Sequence, residues 1–417
     1  MTSPFPDSPE ERRPQPVDVP LLQIGGPAAG TASQSGGGGG CGDSCGCGGG
    51  AGVDGDAWDL DPLDCGLDPD LARLLADAGL DPVQVEDIAH LAVEEDLDHG
   101  VDVTTVATIP ELAVSTGDFT ARQDGIVAGM HVAEAVLSVV CTDEFEVERH
   151  VEDGERVVAG QRLLTVRTRT RDLLTAERSA LNLLCRLSGI ATVTRRWADE
   201  LSRAATAADS GTHAETRVRD TRKTTPGLRA LEKYAVRCGG GTNHRFSLSD
   251  AALIKDNHVV AAGGVAEAFR LVRAEFPDVP IEVEVDRLDQ IEPVLAEGAD
   301  LILLDNFTPD ETAAAVALVG GRAQLESSGR LSLDNAAEYA ATGVDFLAVG
   351  ALTHSSPILD VGLDLRDTDS DADADAARET RPGAGGSGEG PEEPEEHDAS
   401  EEREGREGRG EREEVDD

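Results

Sequence analysis

The stretch "DLILLDNFTPDETAAAVALVGGRAQLESSGR", residues 300–330, sets the reading of the chain. An apolar run, LILL, ends in Asp305 and Asn306. A helix-like stretch, PDETAAAVALVG, follows. A second short run then ends near Glu326 and Ser328. Strand, polar tip, helix and strand again form the unit of a parallel sheet. Outward from this stretch the unit recurs in ETRVRDTRK, AALIKDN, IEVEVD and VDFLAVG, with helix-like GGVAEAFRLVRAEF and DRLDQIEPVLAEG between them. About six such units make the fold class α/β, a (β/α) barrel or a parallel sheet.

In barrels the active site forms at the C-terminal ends of the strands. Here those ends carry Arg222 and Lys223, Lys255 and Asp256, Glu284, Asp305, Glu326 with Ser328, and Gly350. A single ionisable tip is commonly a helix cap. A succession of them points to a site. The formal net charge is −46, yet residues 217–255 hold nine Lys and Arg against three acids, and all three lysines of the chain lie there. Clustered cations at strand ends bind multiply charged anions, and Arg suits bidentate carboxylate or phosphate contacts. Lys223 and Lys255 fit that role. Lys233, beside Glu232 on an expected helix, fits an internal ion pair. Glu284 and Asp305 end consecutive strands and suit Mg²⁺, ribose hydroxyls or helix caps. Ser328, Gly329 and Gly350 expose backbone N–H groups where late barrel loops bind phosphate. The turn GGGTNHR, residues 239–245, delivers His244 and Arg245.

Composition narrows the class further. A pI near 4.3 excludes a nucleic-acid partner, because phosphate backbones need a basic surface. The acid excess and scarcity of Lys suggest adaptation to high salt, where charge repulsion is screened. No apolar run reaches the length of a membrane span, and no secretory signal opens the chain. Arg12-Arg13 is followed by Pro14 and polar residues, unlike a twin-arginine signal. Cys141, Cys185 and Cys238 read as small buried residues of a cytoplasmic protein. Residues 1–68 are rich in Gly and Pro and are expected to be a disordered tail; Cys41, Cys45 and Cys47 within it lack the spacing of familiar zinc sites. Residues 366–417 are expected to be a disordered acidic tail. Asp-led helices are expected in DLARLLADAGL and DPVQVEDIAHLAVEED, short strands over 116–168, and a long helical region after Arg171, broken at Ser188-Gly189.

The motifs ERSALNLLCRLSGIAT, DTRKTTPGLRALEKYAVRCGGGTNHR, LIKDNH, EVEVD, LLDN, LESSG and VGALTHS, in this order, resemble the quinolinate phosphoribosyltransferase family. The resemblance runs from about Val83 to Asp364. It implies an incomplete (β/α) barrel of about six parallel strands with an N-terminal α/β sandwich domain. On this reading residues 69–182 form the sandwich, which 351–365 rejoin, and 183–350 the barrel. It implies a homodimer or higher homo-oligomer whose barrel mouths are covered by the partner. It also implies transfer of phosphoribosyl from 5-phosphoribosyl-1-pyrophosphate to quinolinate with loss of CO₂, requiring Mg²⁺ and serving NAD synthesis. By motif, Arg222, His244, Arg245 and Lys255 would hold the quinolinate carboxylates, joined by Arg178 from the neighbouring subunit. Lys223 would contact the phosphoribosyl pyrophosphate. Glu284 and Asp305 would hold Mg²⁺ or ribose hydroxyls. Ser328, Gly329, Gly350 and His354 would surround phosphate. The chain departs from the family pattern at Arg330, where glycine is usual. The competing readings are a molybdenum-transport-associated paralogue and a non-catalytic dicarboxylate-binding protein. Lys223 with both Glu284 and Asp305 speaks against the latter, since a mere binder needs neither a ribose nor a metal site.

Overall fold

A computed structural model describes residues 65–141, 145–207 and 216–366. The expected tails lie outside the described residues, apart from 65–68 and Arg366, as do Cys41, Cys45 and Cys47. Residues 65–68 and Arg366 belong to the folded part instead. The Gly66 N–H donates to Glu86 at 3.0 Å, Asp68 caps the first helix, and Arg366 pairs with Asp118 at 2.8 Å.

Helices α1 (Pro69–Asp77) and α2 (Pro82–Leu97) each begin with a proline behind a capping aspartate. Asp68 accepts the Asp70 N–H at 2.8 Å, and Asp81 that of Val83 at 3.1 Å. Proline at the first position lacks a donor that would be unmet there anyway. After α3 (Val103–Thr108) come β1 (Val114–Ala121), β2 (Gly125–Ile126), α4 (Met130–Val140), β3 (Glu146–Arg149), β4 (Arg156–Val157) and β5 (Arg162–Arg169). Helix α4 was not expected. Met130 to Leu137 are all buried, His131 and Glu134 included, so the segment lacks the one-sided periodicity that marks a surface helix.

Helix α5 runs unbroken from Thr170 to Ala207, against the expected break. Ser188 and Gly189 serve contact instead. The Ser188 hydroxyl accepts the Ala128 N–H at 3.0 Å. A Cβ on Gly189 would meet the Pro357 carbonyl oxygen at 2.0 Å, so glycine is there to let another backbone approach. The boundary expected between residues 182 and 183 falls within this helix.

The rest alternates: β6 (Arg217–Arg219), α6 (Arg229–Cys238), β7 (Ala252–Ile254), α7 (Asp256–Ala262), α8 (Val265–Glu275), β8 (Ile281–Val285), α9 (Ile291–Ala296), β9 (Leu301–Asp305), α10 (Pro309–Val319), β10 (Gln324–Ser328), α11 (Leu333–Ala340), β11 (Phe346–Ala348), α12 (Ala351–His354) and β12 (Val361–Leu365). Among the described residues these strands form a parallel six-stranded sheet, order β6-β11-β10-β9-β8-β7. Its two edges, β6 and β7, do not pair, which leaves the barrel incomplete. Segment 242–251 lies between them, and Thr242 bridges to Arg219. A second sheet, β12-β1-β5-β3, is antiparallel, with Leu363 opposite Phe119.

The alternation in IEVEV explains how the barrel is filled. Val283, Val285, Ile302, Leu304, Leu325 and Leu347 are buried on one face of the sheet. Glu282, Glu284, Asp305, Glu326 and Ser328 take the alternate positions, which face the interior. We expect Gly189→Ala to lower the unfolding free energy by about 1–3 kcal/mol, despite the better helix propensity of alanine. Denaturant melts check this; an unchanged midpoint would refute the close-approach account.

Candidate active site

The long cationic motif folds around α6. Glu232 and Lys233 are adjacent and fully buried, and they reach in different directions. Neighbours on a helix do not face each other, so the two do not pair. Lys233 instead donates to Asp220, just beyond β6, and to the His244 carbonyl at 2.8 Å. Asp220 also accepts the His244 N–H at 2.8 Å and the Asn243 side-chain amide at 2.6 Å. This buried pair fixes the turn that carries His244 and Arg245. Burial pulls the Lys233 ammonium below its ordinary pKa, and Asp220 opposes that pull. Glu232 accepts from Arg186 at 2.9 Å and from the Thr225 N–H and hydroxyl at 3.1 and 2.7 Å. Arg186 in turn donates to the carbonyls of Thr353 and Ser356, and the Thr353 hydroxyl donates to the Lys223 carbonyl at 2.8 Å. Glu232 thus fixes the loop of Lys223 against the segment containing His354.

Two guanidinium groups meet between these anchors. Arg222 and Arg245 each keep a buried Nε without a hydrogen-bond partner. Burial, then the Arg222 charge, lowers the Arg245 pKa from its usual value. Two neighbouring cations that leave buried donors unmet form a site for an anion.

His244 is placed differently from the expectation. Its ring is buried, with Nδ1 accepting the Arg245 N–H at 2.7 Å. That leaves the proton on Nε2, which faces Glu282 at 2.8 Å and Glu326 at 3.7 Å. Both nitrogens are therefore engaged within the protein. Glu326 is also not a tip. It lies buried in mid-strand, paired with Arg219 at 2.7 Å. Burial, then Glu282, pushes its carboxyl pKa up, against Arg219 and His244. The group His244, Glu282 and Glu326 has the composition of a metal site. A metal on Nε2 would require the proton on Nδ1, which the Arg245 N–H already occupies. The cluster is thus a floor beneath the mouth, joined by the His244 Nε2–H to Glu282 and by the Arg219–Glu326 ion pair.

At the rim, the Lys255 ammonium lies 3.2 Å from Glu284. Burial raises the Glu284 pKa, Lys255 opposes, and Asp305 adds to the rise. Asp305 accepts the Asn306 side-chain amide at 2.8 Å and sits opposite Ser328 in the sheet. A Cβ on Gly329 would strike the Asn306 side chain at 2.3 Å. A Cβ on Gly350 would meet Lys223 Cδ at 3.0 Å and His354 Nε2 at 3.3 Å, so Lys223, Gly350 and His354 share one corner. Arg178, exposed on α5, has no hydrogen bond or ion pair tying it to this group. Sequence reasoning missed Arg219, Asp220 and Glu282. Only the IEVEV alternation, which sets Glu282 and Glu284 on one face, signalled any of them.

Comparison with known proteins decides the family. Residues 190–364 match the quinolinate phosphoribosyl transferase C-terminal domain, and 102–188 its N-terminal domain. The chain belongs to the quinolinate phosphoribosyltransferase family. It is 55% identical over 296 residues to the nicotinate-nucleotide pyrophosphorylase [carboxylating] of Mycobacterium leprae, covering 70% of this chain and all of the relative. It is 37% identical to the probable enzyme of that name from Bacillus subtilis, covering 65% of this chain and 90% of the relative. Among solved structures, NadC from Streptococcus pyogenes aligns with a TM-score of 0.63 at 37% identity, over 69% of this chain and 99% of that one. The family's fold, an incomplete parallel barrel with a second sheet, is the fold found here.

Replacing Lys233 with Met strands the buried Asp220 charge. We expect a loss of about 3–5 kcal/mol in unfolding free energy, partly recovered in the Asp220→Asn/Lys233→Met double variant. A loss below about 1 kcal/mol, in the range of an exposed pair, would show that the turn is held by other means.

Proposed function

We infer that this chain is a quinolinate phosphoribosyltransferase, joining quinolinate to 5-phosphoribosyl-1-pyrophosphate and releasing nicotinate mononucleotide, pyrophosphate and CO₂ in NAD synthesis. The observation that carries the reading is the pair Arg222 and Arg245, each with an unmet buried donor. A pyridine with two adjacent carboxylates is the ligand such a pair suits. Lys255 completes the cationic side. His244 serves through the turn it anchors, and would take a direct carboxylate contact only by releasing Glu282. Arg178, exposed and without a hydrogen bond or ion pair among the described residues, is offered to a second subunit in a homodimer.

Opposite the arginines, Glu284 and Asp305 present two carboxylates, and the charge of Asp305 helps to raise the Glu284 pKa. A hard cation between them would relieve that repulsion. Two protein carboxylates, with phosphates supplying further oxygens, fit Mg²⁺. Glu284 and Asp305 would hold it, and when bound it neutralises charge on phosphate oxygens. The same residues also reach ribose hydroxyls. Lys223, in the corner with Gly350 and His354, stabilises the departing pyrophosphate. Ser328 and Gly329 line the neighbouring phosphate position.

The bond from ribose C1 to pyrophosphate oxygen breaks, and the pyridine nitrogen forms the new bond to C1. The ring becomes a pyridinium beside the C2 carboxylate. The C2–carboxylate bond then breaks as CO₂ leaves, its electron pair stays on C2 where the adjacent cationic nitrogen stabilises it, and that pair takes a proton. The arginines orient the ring, and much of the rate comes from position and charge rather than a protein nucleophile. The setting is the cytoplasm, supported by the free thiols of Cys141, Cys185 and Cys238. The acidic composition supports work at high salt. No helix among the described residues is long and apolar enough to cross a membrane.

With Mg²⁺ and phosphoribosyl pyrophosphate in KCl, we expect nicotinate mononucleotide and CO₂ in equal amounts from quinolinate, and neither from nicotinate. Lys223→Ala should lower kcat/KM by about 100- to 1000-fold, the scale of one lost transition-state contact. A folded protein that binds quinolinate yet forms no product would favour the dicarboxylate-binding reading.

A further inference from the structure

Four described residues other than glycine have a left-handed backbone: Asp98, His99, Asn306 and Arg330. The first three are of the types that most readily tolerate this region. Arg330, at φ 56°, is not. Its conformation is imposed by its neighbours. Gly329, at φ 90°, packs against Asn306 too closely to carry a Cβ. The Asn335 side chain clamps the loop, donating to the Arg330 carbonyl at 3.0 Å and accepting the Ser332 N–H at 2.8 Å. Glycine would take the conformation freely, whereas a long side chain there is strained.

The side chain is not held by the fold. It is exposed, and no hydrogen bond or ion pair involves its guanidinium among the described residues. Several arginines on the barrel are neutralised by carboxylates. Arg322, at the other end of β10, pairs with Glu292, Arg270 with Glu267 and Glu297, and Arg219 with Glu326. A chain of net charge −46 has carboxylates to spare for Arg330 as well. Instead the cation stands two residues beyond Ser328, which lies opposite both Asp305 and Ala348 in the sheet. Lys223, exposed beside Gly350, is another cation of this rim. We propose that Arg330 is a binding residue for the phosphate groups of 5-phosphoribosyl-1-pyrophosphate, a second cation for a polyanion at the mouth. This rests on the functional reading above and adds a specificity determinant to it.

The test is direct binding, kept apart from turnover. Phosphoribosyl pyrophosphate is titrated calorimetrically, with Mg²⁺ and at several KCl concentrations, into the wild type, Arg330→Gly, Arg330→Lys and the control Arg322→Ala. We expect Arg330→Gly to weaken binding by roughly fivefold to tenfold, the worth of one charge-assisted contact, and to show a shallower salt dependence. Quinolinate affinity should be unchanged, and Tm unchanged or higher. Arg330→Lys should keep most of the affinity, and Arg322→Ala all of it. Equal affinity and salt dependence in Arg330→Gly and wild type would overturn the proposal. So would a loss shared by both ligands with a lowered Tm, which marks a structural role. A wild type that binds phosphoribosyl pyrophosphate through Arg330 but forms no nucleotide would sink the functional reading and leave this one standing. A wild type that does not bind it would sink both.

Discussion

The buried pair of Lys233 with Asp220 is the constraint on which the site depends. A buried ion pair is poor value as a source of stability, since desolvation offsets most of the attraction. Its use here is geometric. Asp220 takes the Lys233 ammonium, the His244 N–H and the Asn243 amide on one side chain. It thereby joins the end of β6 to α6 and to the turn entering β7, at the seam where the barrel has no strand pairing. Hydrogen bonds to one carboxylate do there what a sheet ladder does elsewhere. The adjacent Glu232 does the same for the loop of Lys223. One turn of one helix thus positions both halves of the cationic motif.

With those anchors in place, the barrel interior is arranged in two tiers. The lower tier meets its own needs: Arg219 pairs with Glu326, and the His244 Nε2–H faces Glu282. The upper tier leaves charges in tension: Arg222 beside Arg245, and Glu284 near Asp305. Like charges held together with unmet donors are costly in the free protein, and the cost is relieved when ligands of opposite charge enter. The distribution also accounts for the lysines. Lys233 is structural, while Lys223 and Lys255 stand at the mouth.

Much of this was legible in the sequence. The repeated strand, tip and helix led to the parallel barrel, and the tips led to Arg222, Lys223, Lys255, Glu284 and Asp305. The errors have physical causes. Helix α4 is buried all round and so shows no periodicity. Ser188-Gly189 reads as a break because the backbone that Gly189 admits, at Pro357 and Ile358, lies far along the chain. Glu326 was taken as a tip, although the strand runs two residues further. Lys233 was assigned an internal ion pair with no partner beyond its neighbour Glu232, although adjacent helical residues point apart. Asp220 and Glu282 act only through partners brought close by folding, which no local pattern reveals.

A crystal structure of the protein with quinolinate, without the second substrate, tests the central claim most directly. The account predicts the two carboxylates against Arg222 and Arg245, each unmet Nε donating to a carboxylate oxygen, with the bonds of Asp220 to Lys233 and to the His244 N–H unchanged. Quinolinate bound elsewhere, or bound in the mouth with both Nε donors still unpaired, would contradict it.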